Sequence, residues 1–164
     1  MPLQVGDLAP DFTLFFRPRE SVSLHDYAGQ PVLLLFFPLA FSPTCTAEIT
    51  AAAENYTLYE SLGTTILGIS VDSPFVAERF AEACKARFAI LSDFNREAGA
   101  AYGVVAEDFF GLKGVHNRAA FVLDRDHRIA FAWMNENPNV LPPFARIQTK
   151  LRELAARPAA AKGR

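Results

Sequence analysis

The sequence predicts one α/β domain of three layers, with a mixed central sheet between helices. Three observations carry this expectation. The chain has 164 residues, 51% apolar and 21% charged, which suits a single domain with a real core. Its middle alternates strand, helix, strand, helix, the pattern of parallel strands joined by helical crossovers. Two apolar segments around the polar turn 124–128 then read as a hairpin, which adds antiparallel strands.

Each element has its own signal. Residues 12–16 and 22–24 read as short strands around the loop Arg17-Pro18-Arg19-Glu20, an N-terminal hairpin extension. Gly29-Gln30-Pro31 punctuates before the run Val32-Leu33-Leu34-Leu35-Phe36-Phe37, which reads as a strand buried on both faces. From Pro43 to about Leu62, the residues Ile49, Ala52, Tyr56, Tyr59 and Leu62 recur at helical spacing, and Gly63 is placed to end the helix. Residues 64–71 are rich in β-branched side chains and predict a strand. Asp72-Ser73-Pro74 starts a second helix, expected to run to about Ala86. Residues 89–91 read as extended, and 95–102 as a short helix ending at Gly103. Strands are expected over 119–123 and 129–134, and a last helix over 142–156. The domain is thus expected over 1–156, with a disordered tail over 157–164.

Composition narrows the function classes. The net charge is −2 with no block of like charge, so a nucleic-acid surface is not expected. The N-terminus lacks the pattern of a signal peptide, and the longest apolar run, residues 32–41, is too short to span a bilayer. The expected location is cytoplasmic, where two cysteines are catalytic or inert rather than a structural disulfide. His25, His116 and His127 are scattered, and no metal site with credible spacing is expected. His116, two residues before Arg118, is left open as a pocket-lining residue.

The chemistry concentrates at Pro38-Leu39-Ala40-Phe41-Ser42-Pro43-Thr44-Cys45. Cys45 falls in the first turn of a helix, at the carboxyl end of a core strand, where free N–H groups and the helix dipole stabilise a thiolate. The Ser42 hydroxyl, one turn earlier, can reach the sulfur or a polar substrate oxygen. Phe36, Phe37 and Phe41 are expected to form an apolar wall around it. A fixed cation is missing locally.

The spacing of Pro38, Ser42 and Cys45 resembles the active-site motif of the peroxiredoxins. Gly6-Asp7-Leu8-Ala9-Pro10-Asp11-Phe12, Leu91-Ser92-Asp93, Tyr102-Gly103-Val104 and the segment from Arg118 to Asp124 resemble later landmarks of that family, so the likeness covers residues 3–155. The wording of residues 32–41 is most similar to the one-cysteine alkyl hydroperoxide reductase E branch, with the bacterioferritin comigratory branch a near neighbour. The resemblance implies a thioredoxin-like fold and a thiol peroxidase that reduces hydrogen peroxide and organic hydroperoxides without metal or other cofactor. It implies that Cys45 is the peroxidatic cysteine, oxidised to a sulfenic acid. Ser42 orients the peroxide, Pro38 shields the thiolate, and Arg118 is the missing cation. Glu48, one turn after Cys45, is expected to hold the Arg118 guanidinium.

Cys84 has two readings. Val76, Phe80, Ala83 and Cys84 share a helical stripe, which makes Cys84 a small core hydrophobe. The resemblance offers a resolving cysteine in this helix, but aligned near Ala81, and the other common position is Thr50. The implied reductant is thioredoxin, glutaredoxin or a low-molecular-weight thiol, and the implied assembly a homodimer or monomer. The competing function is a thioredoxin-like thiol–disulfide oxidoreductase, which needs a Cys-x-x-Cys pair. The tetrapeptide here is Ser42-Pro43-Thr44-Cys45. The loop 105–117, with Phe109, Phe110 and Leu112, reads either as a packed or dimer-forming loop or as an apolar wall for bulky hydroperoxides.

Overall fold

Seven strands form one mixed sheet in the order β2-β1-β5-β4-β3-β6-β7. The structure is a computed structural model and describes residues 3–157, so the expected tail lies outside the described residues except for Arg157. β1 (Thr13–Arg17) and β2 (Glu20–Ser23) are the expected N-terminal hairpin, which joins the sheet where Phe15 meets Ser92. β3 (Val32–Phe36), β4 (Thr65–Ser70) and β5 (Ala89–Ser92) are parallel. β6 (Arg118–Leu123) runs antiparallel to β3 and pairs with β7 (Ile129–Asn135) in the predicted hairpin.

β3 is buried along its whole length because both faces of the sheet are covered. On one face Leu33, Leu35 and Phe37 meet α1 (Pro43–Glu54), α2 (Tyr56–Ser61), α3 (Pro74–Ala83) and α5 (Phe144–Ala156). On the other, Val32, Leu34 and Phe36 meet the N-terminal segment and α4 (Glu97–Tyr102). The three-layer expectation holds, but the side chains sort by strand alternation. Phe36 therefore points away from the face that carries Cys45 and packs against Tyr102, His116 and Phe121. It is not part of the wall the sequence suggested.

The helix expected over 43–62 is two helices. The Asn55 side chain donates to the Ala51 carbonyl, and its backbone leaves the helical region at φ −101° and ψ 16°. A side chain that competes for helical carbonyls opens the ladder there. Gly63 ends α2 in the left-handed conformation, as predicted. α3 ends at Ala83 rather than Ala86, with Cys84 as its C-cap. Its buried stripe is Ala77, Phe80 and Cys84, while Ala83 faces solvent.

Candidate active site

Six residues, 37–42, join the end of β3 to the start of α1, and they set the site. Phe37 extends the strand, its N–H donating to Ile69 at 3.0 Å. Pro38 is buried, and the Ala40 N–H donates to the Asp72 carboxylate at 2.7 Å. Asp72 also accepts from the Ser70 hydroxyl at 2.7 Å, so the loop is strapped to the end of β4. Phe41 then adopts φ +69°, a left-handed conformation uncommon outside glycine, asparagine and aspartate. Its ring turns outward over Phe80, with centroids 5.1 Å apart.

Ser42 is the N-cap of α1 and its hydroxyl donates to the Leu39 carbonyl at 3.0 Å. Thr46 is the first helical N–H to find a carbonyl, Ser42 O at 2.9 Å. The N–H groups of Thr44 and Cys45 thus lie in the turn that has no helical acceptors. Cys45 is fully buried, in the same apolar cluster as Phe37 and Ile49.

The cation expected from the far end of the sequence is in place. Arg118, the first residue of β6, is 1% exposed and its Nη1 donates to Cys45 Sγ at 3.4 Å. The same nitrogen donates to Glu48 Oε1 at 2.5 Å, and Nη2 donates to the Pro138 carbonyl at 2.8 Å. Glu48 is wholly buried. Desolvation pushes its carboxyl up to about 7, with the Arg118 charge and hydrogen bond only partly opposing. Burial works against the charge on Arg118, but Glu48 and Cys45 beside it hold its pKa above the ordinary value. Arg118 Nε and Glu48 Oε2 are buried without a hydrogen-bond partner.

Cys45, Glu48 and Arg118 are therefore brought into contact, with Ser42 and Pro38 in the loop that leads to them. Cys84 is not in contact with this set. It is 4% exposed, lies beside the Thr50 side chain, and burial pushes its thiol up. It lines a crevice of about 390 Å³ with Thr50, Ala53, Glu54, Ala83 and Lys85. Thr50 lies five residues along α1 from Cys45, about 7.5 Å of helical rise.

His116 does not line the site. It is buried on the opposite face of the sheet, its Nε2 2.8 Å from Asp93 Oδ2. Asp93 also accepts from the N–H groups of Ala98 and Gly99 at the start of α4. His25 pairs with Asp11 at the surface, and His127 Nε2 meets the Tyr27 carbonyl in its turn. The loop 105–117 is split between its two readings. Ala106, Val115 and Phe109 pack on Val71 and on Leu39 of the active-site loop, while Phe110 is 80% exposed.

Two contributors escaped the sequence reading. The sequence makes Asp72 part of a helix start, but Ser73 caps α3 and Asp72 holds the loop before α1. Pro138 acts through its carbonyl, for which no side-chain pattern exists.

A model of the AhpC/TSA family matches residues 5–132. The peroxiredoxin Bcp of Escherichia coli K12 is 38% identical over 131 residues, covering 78% of this chain and 83% of its own. A putative peroxiredoxin bcp of Haemophilus influenzae is 33% identical over 149 residues, covering 91% and 90%. Among solved structures, peroxidoxin BcpB of Mycobacterium tuberculosis superimposes with a TM-score of 0.82 at 25% identity, covering 93% of this chain and 98% of its own. The fold is thus the thioredoxin-like one of these proteins.

Proposed function

The chain belongs to the AhpC/TSA family and is a thiol-dependent peroxidase, and we propose that it works through Cys45. The Cys45 thiolate attacks a hydroperoxide and becomes a sulfenic acid. Ser42 hydrogen-bonds the incoming peroxide once its hydroxyl turns from the Leu39 carbonyl. Pro38 keeps water from the sulfur. Arg118 stabilises the thiolate and the charge that develops on the peroxide oxygens. Glu48 fixes the guanidinium. The observation that carries this reading is the single Arg118 nitrogen placed on both Cys45 and Glu48.

Hydrogen peroxide and organic hydroperoxides are the substrates in this reading. An external thiol, whether thioredoxin, glutaredoxin or a small thiol, returns the sulfenic acid to thiol. A cytoplasmic location belongs to the same proposal, since that compartment keeps such thiols reduced. Cys84 is a second route of reset. A disulfide needs Cα atoms within roughly 7 Å, so Cys84 must leave Thr50 as the first turn of α1 or the last turn of α3 unwinds. Its place as the C-cap of α3, beside the left-handed Lys85, favours movement at that end.

The test is direct. The protein is mixed with sub-stoichiometric hydrogen peroxide, and mass and thiol content are followed for wild type and Cys45→Ser. Wild type is expected to lose the Cys45 thiol to peroxide, with the Cys84 thiol lost beside it where the disulfide closes, and Cys45→Ser is expected to lose none. Equal reactivity of the two would overturn the assignment. Insulin disulfides are expected to remain unreduced, because Ser42 stands where a disulfide reductase needs its second cysteine.

A further inference from the structure

The site holds one cation and two groups that can be anions. Cys45 Sγ and Glu48 Oε1 both accept from the same nitrogen of Arg118, and all three residues are closed to solvent. Among the described residues, Arg118 is the charged group that acts on the Glu48 carboxyl, and none other offsets a negative charge there. The second carboxyl oxygen, Oε2, is buried with no hydrogen-bond partner. A buried carboxylate with a bare oxygen is costly, whereas a carboxylic acid there carries no charge to desolvate. One guanidinium balances one anion. Building on the peroxidase reading above, we propose that Glu48 is a catalytic proton donor. It holds a proton while Cys45 is a thiolate, and it releases that proton to the oxygen that leaves when the peroxide bond breaks.

The step balances. Before reaction the set is a thiolate, a guanidinium and a carboxylic acid. The thiolate attacks the terminal, hydrogen-bearing oxygen of a hydroperoxide; an S–O bond forms and the O–O bond breaks. Sulfur gives up two electrons and the peroxide takes them. The departing alkoxide takes the Glu48 proton and leaves as an alcohol. Afterwards the set is a sulfenic acid, a guanidinium and a carboxylate. Arg118 has one anion beside it on both sides of the step. A reducing thiol then displaces water to form a mixed disulfide. A second thiol frees the Cys45 thiolate, and the proton set free returns to Glu48. A carboxyl raised by burial to about 7 can hold and give its proton near neutrality.

Leaving groups separate this role from a structural one. Glu48→Gln keeps an oxygen for Arg118 but has no acid proton. The oxidation rate of Cys45 is measured with tert-butyl hydroperoxide, whose alkoxide needs a proton, and with peracetic acid, whose acetate does not. Glu48→Gln is expected to slow the hydroperoxide reaction about 100-fold more than the peracid reaction. Equal slowing of both, or slowing of neither, overturns the proposal. A second measurement uses wild type alone, in weak buffer near neutral pH, with the ultraviolet thiolate band present before mixing. Oxidation by tert-butyl hydroperoxide should draw no proton from solvent; uptake of one per thiolate consumed overturns the proposal. If Cys45 reacts with neither oxidant, the peroxidase reading itself has failed.

Discussion

Replacing Arg118 by methionine should separate what the guanidinium does for the fold from what it does for the chemistry. Methionine fills much of the arginine stem but removes the cation that touches Cys45, Glu48 and the Pro138 carbonyl. Glu48 is then buried alone, and breaking a buried pair on one side costs about 3–5 kcal/mol. Part of that cost is avoided by protonating Glu48, whose carboxyl already sits up at about 7. The loss should therefore be largest near pH 8 and shrink towards pH 5, where Glu48 is neutral. Adding Glu48→Gln to Arg118→Met should recover most of the stability. It should not recover activity, since a missing donor to developing oxygen charge costs about 10²–10³-fold in rate. Urea unfolding followed by the fluorescence of Trp133, the one tryptophan, reads stability through the midpoint at constant slope. An Arg118→Met midpoint equal to wild type at pH 8, or a double variant with wild-type rate, would refute the reasoning.

Three further outcomes follow from particular contacts. Peroxide-treated wild type should show an intramolecular disulfide by mass. Cys84→Ser should instead show a sulfenic acid that a trapping reagent captures, and a wild type that never forms the disulfide retires Cys84 from the cycle. Gly99→Ala should destabilise by about 2–3 kcal/mol despite a gain in helix propensity. Its Cβ would meet His116 Nε2 at 2.6 Å, and the ring is pinned by Asp93, so a variant as stable as wild type in urea would contradict that picture. Glu48 also ties stability to pH. Its folded carboxyl at about 7 binds a proton more tightly than the unfolded one near 4.5, so its contribution is full in acid and lost as pH rises through 7. Relative to Glu48→Gln, wild type should lose about 3 kcal/mol between pH 4.5 and 8. A flat difference would mean that Glu48 stays ionised.

Much of this site is legible because its parts obey local rules. A strand, a loop with two prolines and a capped helix start place Cys45 without reference to the rest of the chain. Arg118 is 73 residues away and only the family resemblance points to it; the register of β6 against β3, Leu35 opposite Ala120, brings it over the first turn of α1. What was illegible is where side chains from different elements converge. Strand alternation sends Phe36 to the far face, but the sequence does not say which face α1 covers. The break at Asn55 reflects a competition between an amide side chain and the helix ladder that periodicity alone does not weigh. The straps through Asp72 and Pro138 use backbone N–H and carbonyl groups, which every residue carries.

Those straps also explain how an unfavourable geometry persists. Phe41 is held left-handed and Glu48 is buried with a bare oxygen, each at a cost the isolated segment would shed. Both lie within seven residues of Cys45, and both are held from outside α1 and its loop. Asp72 at the end of β4 fixes Ala40, next to Phe41, and Arg118 at the start of β6 fixes Glu48. β3 lies between these two strands and delivers the loop. The sheet therefore sets the position of the helix start on both sides, and the start cannot relax without breaking a bond to one neighbouring strand or the other. The same construction defines how the site can open. If Cys45 is to meet Cys84 or a bulky reductant, the contacts to Arg118 and Asp72 are the ones that must yield. In the proposed cycle oxidation moves the anion that Arg118 binds from Cys45 to Glu48, so its hold shifts one turn along α1, and the first turn should be freer in the sulfenic state than in the thiolate state.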